Sequence, residues 1–289
     1  MSKSVKKVSQ LALILFLFIN FSNCSTENTV DSFNYNEPDP TDTLQAGDLI
    51  WSDEFSDKGA PDPNNWTYDI GNGEWGWGNN EVQYYTDDSK NVRVENGNLI
   101  ISALKEGDQW TSARIKTQGL KTFTYVTVKV KAMLPEGSGT WPAIWMLGSD
   151  ITKIGWPASG EIDIMEHVGK NPGSIHSSLH TPSSYGNTQN SSHVTVPDFS
   201  SEFHIYEVEW TPESISFSID GEAFYVYNPS LKTEETWPFN NNFFIILNVA
   251  MGGNWGSDRQ YETGDQRNGI DPSLTEANMI IDYVRVYKN

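Results

Sequence analysis

The sequence predicts an all-β fold, a two-sheet antiparallel β-sandwich of the jelly-roll kind, on three observations. Short runs rich in β-branched and aromatic residues recur from Leu49 to Tyr287, separated by turn residues. One of them alternates cleanly, with Val126, Val128, Val130 and Ala132 on one face and Thr127, Lys129 and Lys131 on the other. No run with a helical period follows the N-terminal apolar segment. Many short strands without helices must bury one face of each sheet against another sheet, and a jelly roll closes that arrangement.

Taken in order, the chain of 289 residues opens with Lys3, Lys6 and Lys7 ahead of the apolar run 11–19. That run is too short to span a bilayer and suits the core of an export signal. Cys24, the sole cysteine, follows at once. After Phe21-Ser22-Asn23 it resembles a bacterial lipoprotein processing site, at which Cys24 becomes the lipidated N-terminus. Cleavage by an ordinary signal peptidase is the other reading, because Asn23 stands where a small residue is usual. Residues 1–24 are therefore read as a signal peptide, and the protein as an exported lipoprotein of the cell surface or periplasm. A single cysteine leaves no disulfide to stabilise the domain.

Residues 25–46 carry Glu27, Asp31, Glu37, Asp39 and Asp42, no lysine or arginine, and the break Pro38-Asp39-Pro40. They read as a flexible acidic linker. What remains, 47–289, suits one large β domain, which can run to roughly 200–250 residues. Strands are expected at 49–55, 99–104, 125–133, 203–210, 243–250 and 279–287. Asp220-Gly221 marks a hairpin between strands at 215–219 and 223–227. The stretch 66–78, with Gly71, Gly73, Gly76 and Gly78 around Trp75 and Trp77, reads as a loop leading to Asn79-Asn80-Glu81-Val82-Gln83-Tyr84-Tyr85. Aromatics beside amides suit a sugar site, since rings stack on the apolar face of a pyranose and amides bond its hydroxyls.

Formal net charge is −19, and the predicted signal removes only lysines. Nucleic acid and anionic lipid are excluded as partners, leaving membrane contact to an N-terminal lipid. A neutral polysaccharide is compatible with this charge. The five histidines, His167, His176, His180, His193 and His204, show no ligand spacing with cysteine or paired acids, so no metal or other cofactor is expected for catalysis.

The most informative stretch is Trp156-Pro157-Ala158-Ser159-Gly160-Glu161-Ile162-Asp163-Ile164-Met165-Glu166. On a strand, Glu161 and Asp163 share one face while Ile162 and Ile164 enter a core. Strict alternation would bury Glu166 unpaired among the isoleucines. A β-bulge at or near Met165 returns Glu166 to the acidic face. Two glutamates so spaced suit the roughly 5–5.5 Å carboxyl separation of retaining glycosidases better than the roughly 6.5–9.5 Å of inverting ones. Asp163 between them would keep a proton on a neighbour by like-charge repulsion.

Residues 161–166 resemble the signature of glycoside hydrolase family 16, Glu-x-Asp-x-(x)-Glu, in the bulged form of laminarinases, agarases and carrageenases. The resemblance implies Glu161 as nucleophile, Asp163 as its assisting partner and Glu166 as acid/base, on a jelly roll whose concave sheet carries the substrate. It extends to 114–119 and 139–146, which implies sugar contacts at Arg114, Trp141 and Trp145, with Trp156 and Asn80 beside them. Gly252-Gly253-Asn254-Trp255-Gly256 resembles a cleft-rim loop, which adds Trp255. His180, in a laminarinase-like segment, would bond the leaving sugar or the acid/base, or serve only as a structural histidine. The family also implies a structural Ca2+ held by Asp282 with carbonyls of Glu54 and Gly97. The implied activity is endo-hydrolysis of β-1,3 links in a laminarin-like β-glucan by a monomer. Mixed-linkage glucan, a red-algal galactan (agar, carrageenan or porphyran), transfer to a sugar acceptor, or glycan capture without catalysis are the alternatives.

Overall fold

A computed structural model describes residues 47–264 and 266–289. The expected signal 1–24, Cys24 and the linker 25–46 lie outside the described residues. Strands form in order at β1 (Leu49–Asp53), β2 (Thr67–Asp69), β3 (Gln83–Tyr85), β4 (Val92–Glu95), β5 (Asn98–Glu106) and β6 (Gln109–Ser112). Next come β7 (Arg114–Lys116), β8 (Val126–Met133), β9 (Thr140–Gly148), β10 (Glu161–His167), β11 (Ser174–His180) and β12 (Ser191–Thr195). The last are β13 (His204–Trp210), β14 (Ile215–Ile219), β15 (Glu222–Tyr227), β16 (Phe243–Met251) and β17 (Glu276–Lys288).

These strands build the expected two sheets. The 10-stranded sheet runs β15-β14-β13-β8-β17-β5-β6-β3, with β1 beside β17 and β4 beside β5. The 7-stranded sheet runs β12-β11-β10-β9-β16-β7-β2. Pairing is antiparallel except between β3 and β6. The Asp220-Gly221 turn has both residues at positive φ, 52° and 83°, the conformation that a two-residue hairpin demands.

Period two decides what each strand buries. Along β16, Phe243, Ile245, Leu247, Val249 and Met251 enter the core between the sheets. Phe244 and Ile246 pack with Leu147 on the other face, while Asn248 and Ala250 line a cavity there. Each fully buried aliphatic or aromatic side chain contributes roughly 1.5–3 kcal/mol, so this one strand anchors much of the sandwich.

Two expectations change on inspection. Lys129 is on the outer face of β8 as the alternation requires, yet it is 6% exposed. It lies in register between Glu207 and Arg285, its Nζ 3.3 Å from Glu207 Oε2 and over the Tyr287 ring, so neighbouring side chains cover its stem. The expected loop 66–78 contains β2 and then a wide helical turn over 76–80, entered through left-handed Trp75 and containing left-handed Trp77 and Asn80.

Candidate active site

The cavity, of 1010 Å³, lies over the 7-stranded sheet. β10 supplies its acids, and the bulge is where the unpaired-carboxylate argument requires it. Against β9, Asp163 lies opposite Trp145, Met165 opposite Ile144 and Glu166 opposite Ala143, so Ile164 is the extra residue. Ile162, Ile164 and Met165 all enter the core. Glu161, Asp163 and Glu166 all line the cavity. Gly160 makes the entry to this strand: its φ is 73°, and a Cβ there would come within 3.0 Å of the Phe243 ring and 3.1 Å of Pro238.

Each glutamate accepts one indole N–H. Trp156 Nε1 donates to Glu161 Oε2 at 2.9 Å, and Trp141 Nε1 donates to Glu166 Oε1 at 3.1 Å. His180 sits on the Glu161 side, its Nε2 3.1 Å from Asp163 Oδ2 and 3.6 Å from Glu161 Oε1. It contacts these two acids, so of the implied roles the geometry favours neither a bond to Glu166 nor a purely structural one.

Burial pushes the Glu166 carboxyl up to about 7, against the opposing effects of His180 and the Trp141 bond, with Glu161 and Glu81 adding to the rise. Burial, then Glu161 and Glu166, push Asp163 up as well. Burial opposes charge on His180, but the Asp163 bond and the surrounding acids outweigh it and push the imidazole up to about 10. Gly186 N donates to His180 Nδ1 at 3.1 Å, which needs a lone pair there. That bond belongs to the neutral imidazole, whose Nε2–H faces Asp163; protonation at Nδ1 gives up the Gly186 bond for the attraction of the surrounding acids.

On one side of the acids, Arg114 is held between rings, 4.9 Å from Trp77 and 4.6 Å from Trp145. Its Nε lies 3.0 Å from Asp69 Oδ2, a carboxylate that Lys116 also pairs with. Trp145 Nε1 donates to Asn248 Oδ1, Asn248 donates to the Tyr85 hydroxyl, and that hydroxyl donates to Glu81 Oε2. This chain of bonds fixes the ring that faces the cavity. Across the acids, Trp255 meets Trp141 edge-on at 5.6 Å and His176 at 5.0 Å, and His176 stacks on His193.

Arg114, Trp141, Trp145, Trp156, His180 and Trp255 all line the cavity. Asn80 does not. Its amide donates to Asn254 Oδ1 at 2.8 Å and ties two loops together, while Asn79 and Asn254 face the cavity. Trp77 lines the cavity, whereas Trp75 is 78% exposed outside it. Glu81, Tyr85 and Asn248 were not singled out by sequence; a lone amide in the apolar run of β16 was the one local signal for Asn248. His204 lies elsewhere, bound to Asp220, and His167 accepts from Gly173 N beside Phe199.

The residues expected to hold calcium lie near one another in register along β17. Asp282 sits at a register shift between Ile281, opposite Leu99, and Tyr283, while Val284 lies opposite Asp53. Gly97 and Glu54 are thus close in register. An oxygen-only donor set fits calcium, though the Asp282 carboxylate lies 3.2 Å from Lys131 Nζ and that of Glu54 is paired with Arg285.

Three carboxylates on one strand face, indole donors on the outer two and aromatic walls along a trough define a hydrolase of carbohydrate chains. Comparison with known proteins makes this specific. The chain belongs to family 16 of the glycosyl hydrolases, whose family model matches residues 72–271. It is 43% identical to a β-glucanase of Rhodothermus marinus, over 86% of this chain and 88% of the relative. It is 36% identical to a glucan endo-1,3-β-glucosidase of Cryptopygus antarcticus, over 75% and 85%. The crystal structure of a laminarinase from Flavobacterium sp. UMI-01 superposes with a TM-score of 0.76 at 43% identity, covering 83% of this chain and 100% of that one.

Proposed function

We propose that this protein is a retaining endo-1,3-β-glucanase that cuts laminarin-like β-glucan. One observation carries the reading: on a single bulged strand, two glutamates face one cavity, and burial holds Glu166 at about 7. Glu161 attacks the anomeric carbon while protonated Glu166 gives its proton to the leaving glycosidic oxygen. Glu166, now ionised, takes a proton from water, which displaces Glu161 and releases the sugar with its anomeric configuration kept. Trp156 and the Asp163–His180 pair orient Glu161. The relatives named β-glucanase and glucan endo-1,3-β-glucosidase support the substrate. A sulfated galactan is disfavoured, because the cavity lining offers Arg114 alone as a cation, against Glu74, Glu81, Glu161, Asp163 and Glu166.

Azide rescue tests the roles. Glu161→Gly with azide and an aryl β-glucoside should yield the α-glycosyl azide, and Glu166→Gly the β-glycosyl azide; the reverse pair of products would exchange the two assignments. Reducing-end release from laminarin, mixed-linkage glucan, agarose and κ-carrageenan tests the substrate, with activity confined to a galactan overturning it.

The lysine-led apolar run and Cys24 support a further reading, that the protein is exported and anchored by lipid at Cys24. Labelled palmitate incorporated by the native chain and lost in Cys24→Ala is the expected result. Asp282, with carbonyls of Glu54 and Gly97, is proposed to hold a calcium ion that stabilises the sandwich. A melting temperature raised by calcium in the native chain but not in Asp282→Ala would support this, and equal curves would refute it.

A further inference from the structure

Behind one wall of the cleft lies a second depression, of 780 Å³, that takes no part in the chemistry above. The wall is the segment from Asn72 to Tyr84, and its residues divide between the two spaces. Glu74, Trp77, Asn79 and Glu81 face the cleft, whereas Asn72, Val82 and Tyr84 face the depression. Strand alternation on β3 explains the division. Gln83 and Tyr85 are fully buried, with Tyr85 bonded to Glu81 and Asn248 under the cleft, so Tyr84 between them turns its ring the other way and is 45% exposed.

The depression has the chemistry of a sugar site. Tyr84 contributes an exposed ring from β3 and Tyr261 a half-buried one from the loop beyond β16, its hydroxyl bonded to Asp271, while Trp110, 6% exposed, is a core residue that reaches the lining. Gln109 is exposed on β6 beside them, and its amide is free to bond hydroxyls. Lys105 stands against Asp108 and Asp271 in the lining, a net negative charge that offers nothing to an anionic chain. Rings with amides and no net positive charge suit a neutral pyranose chain. The cleft next door, on the reading above, binds such a chain.

We propose that this depression is a secondary binding site for a neutral β-glucan chain, holding polymer against the enzyme on the reverse of the cleft wall. The inference rests on the glucanase reading for the identity of the chain. Calorimetric titration of the full chain carrying Glu161→Gln, in mild detergent, with laminarihexaose separates the two. Two classes of site are expected. Adding Tyr84→Ala should weaken one class by about tenfold, the value of a lost aromatic contact, and leave the other in place. Gln109→Ala, at an exposed position, should weaken the same class by about threefold, as loss of one hydrogen bond implies. A single class in the parent, or two classes unchanged in both variants, overturns the inference and leaves the glucanase reading standing. No binding of the hexaose at all overturns both.

Discussion

Glu161 and Glu166 are the same residue type on the same strand, and each accepts an indole N–H at 2.9 or 3.1 Å. Their surroundings differ. Glu161 has the His180 imidazole 3.6 Å from its carboxylate and Asp163 bonded to that imidazole. At Glu166 burial outweighs the opposing effects of His180 and the indole bond, and with Glu161 and Glu81 adding to the rise it brings the carboxyl to about 7. A nucleophile needs the charge and an acid needs the proton. The two side chains are told apart by their neighbours, Trp156 and the nearby His180 at Glu161 against Trp141 and Glu81 at Glu166, where burial favours the protonated form.

The largest effect should come from removing the groups themselves. Glu161→Gln should lower kcat by roughly 10⁴-fold or more on every substrate, as loss of a nucleophile does. Glu166→Gln should lower it by roughly 10²–10⁴-fold on laminarin but far less for the first step with a dinitrophenyl glucoside, whose leaving group needs no proton. Equal losses on both substrates would break the contrast between the two glutamates.

His180→Asn should cost roughly 10²-fold in kcat/KM by loosening Glu161 and Asp163. Its pH profile is the sharper readout. Activity requires protonated Glu166, so the rate should fall as pH rises through about 7. His180 works to lower the Glu166 pKa, so its removal should move that alkaline limb to higher pH. A limb that stays in place would mean that the imidazole carries no charge felt at Glu166.

The two tryptophans sharpen the comparison further. Trp156→Phe deletes a hydrogen bond to a carboxylate and should cost roughly 1.5–3 kcal/mol of transition-state stabilisation, read as a fall in kcat/KM without movement of the alkaline limb. Trp141→Phe should cost less in rate and shift the limb upward, because its bond favours ionised Glu166. The smallest effect on chemistry should be that of Gly160→Ala. It should reduce folding stability by about 1–3 kcal/mol in urea denaturation, through the strained φ and the Phe243 contact.

How much of this was legible beforehand follows from the length over which each signal acts. The alternating runs of β8, β14 and β17 were readable because one-sided burial imposes period two on five or more consecutive residues, and β16, buried on both faces, was readable as a continuous apolar run. β2, β3 and β7, three residues each, were not, since pairing partners rather than composition define so short a strand. The left-handed turn that sends the Asn80 amide to Asn254 and leaves Asn79, bonded to Glu81, on the cavity side has no local mark in the sequence.

By itself the sequence determined the all-β class, the family and the bulge that puts three acids on one face, because burying an unpaired carboxylate is costly whatever the surroundings. Only the tertiary structure decided which indole serves which glutamate, that His180 joins Asp163 and Glu161, and that Arg114 is clamped between Trp77 and Trp145. Those partners come from separate strands and loops. The sheet order β10-β9-β16-β7 brings them together, and proton affinities depend on distances of a few ångströms that no sequence spacing records.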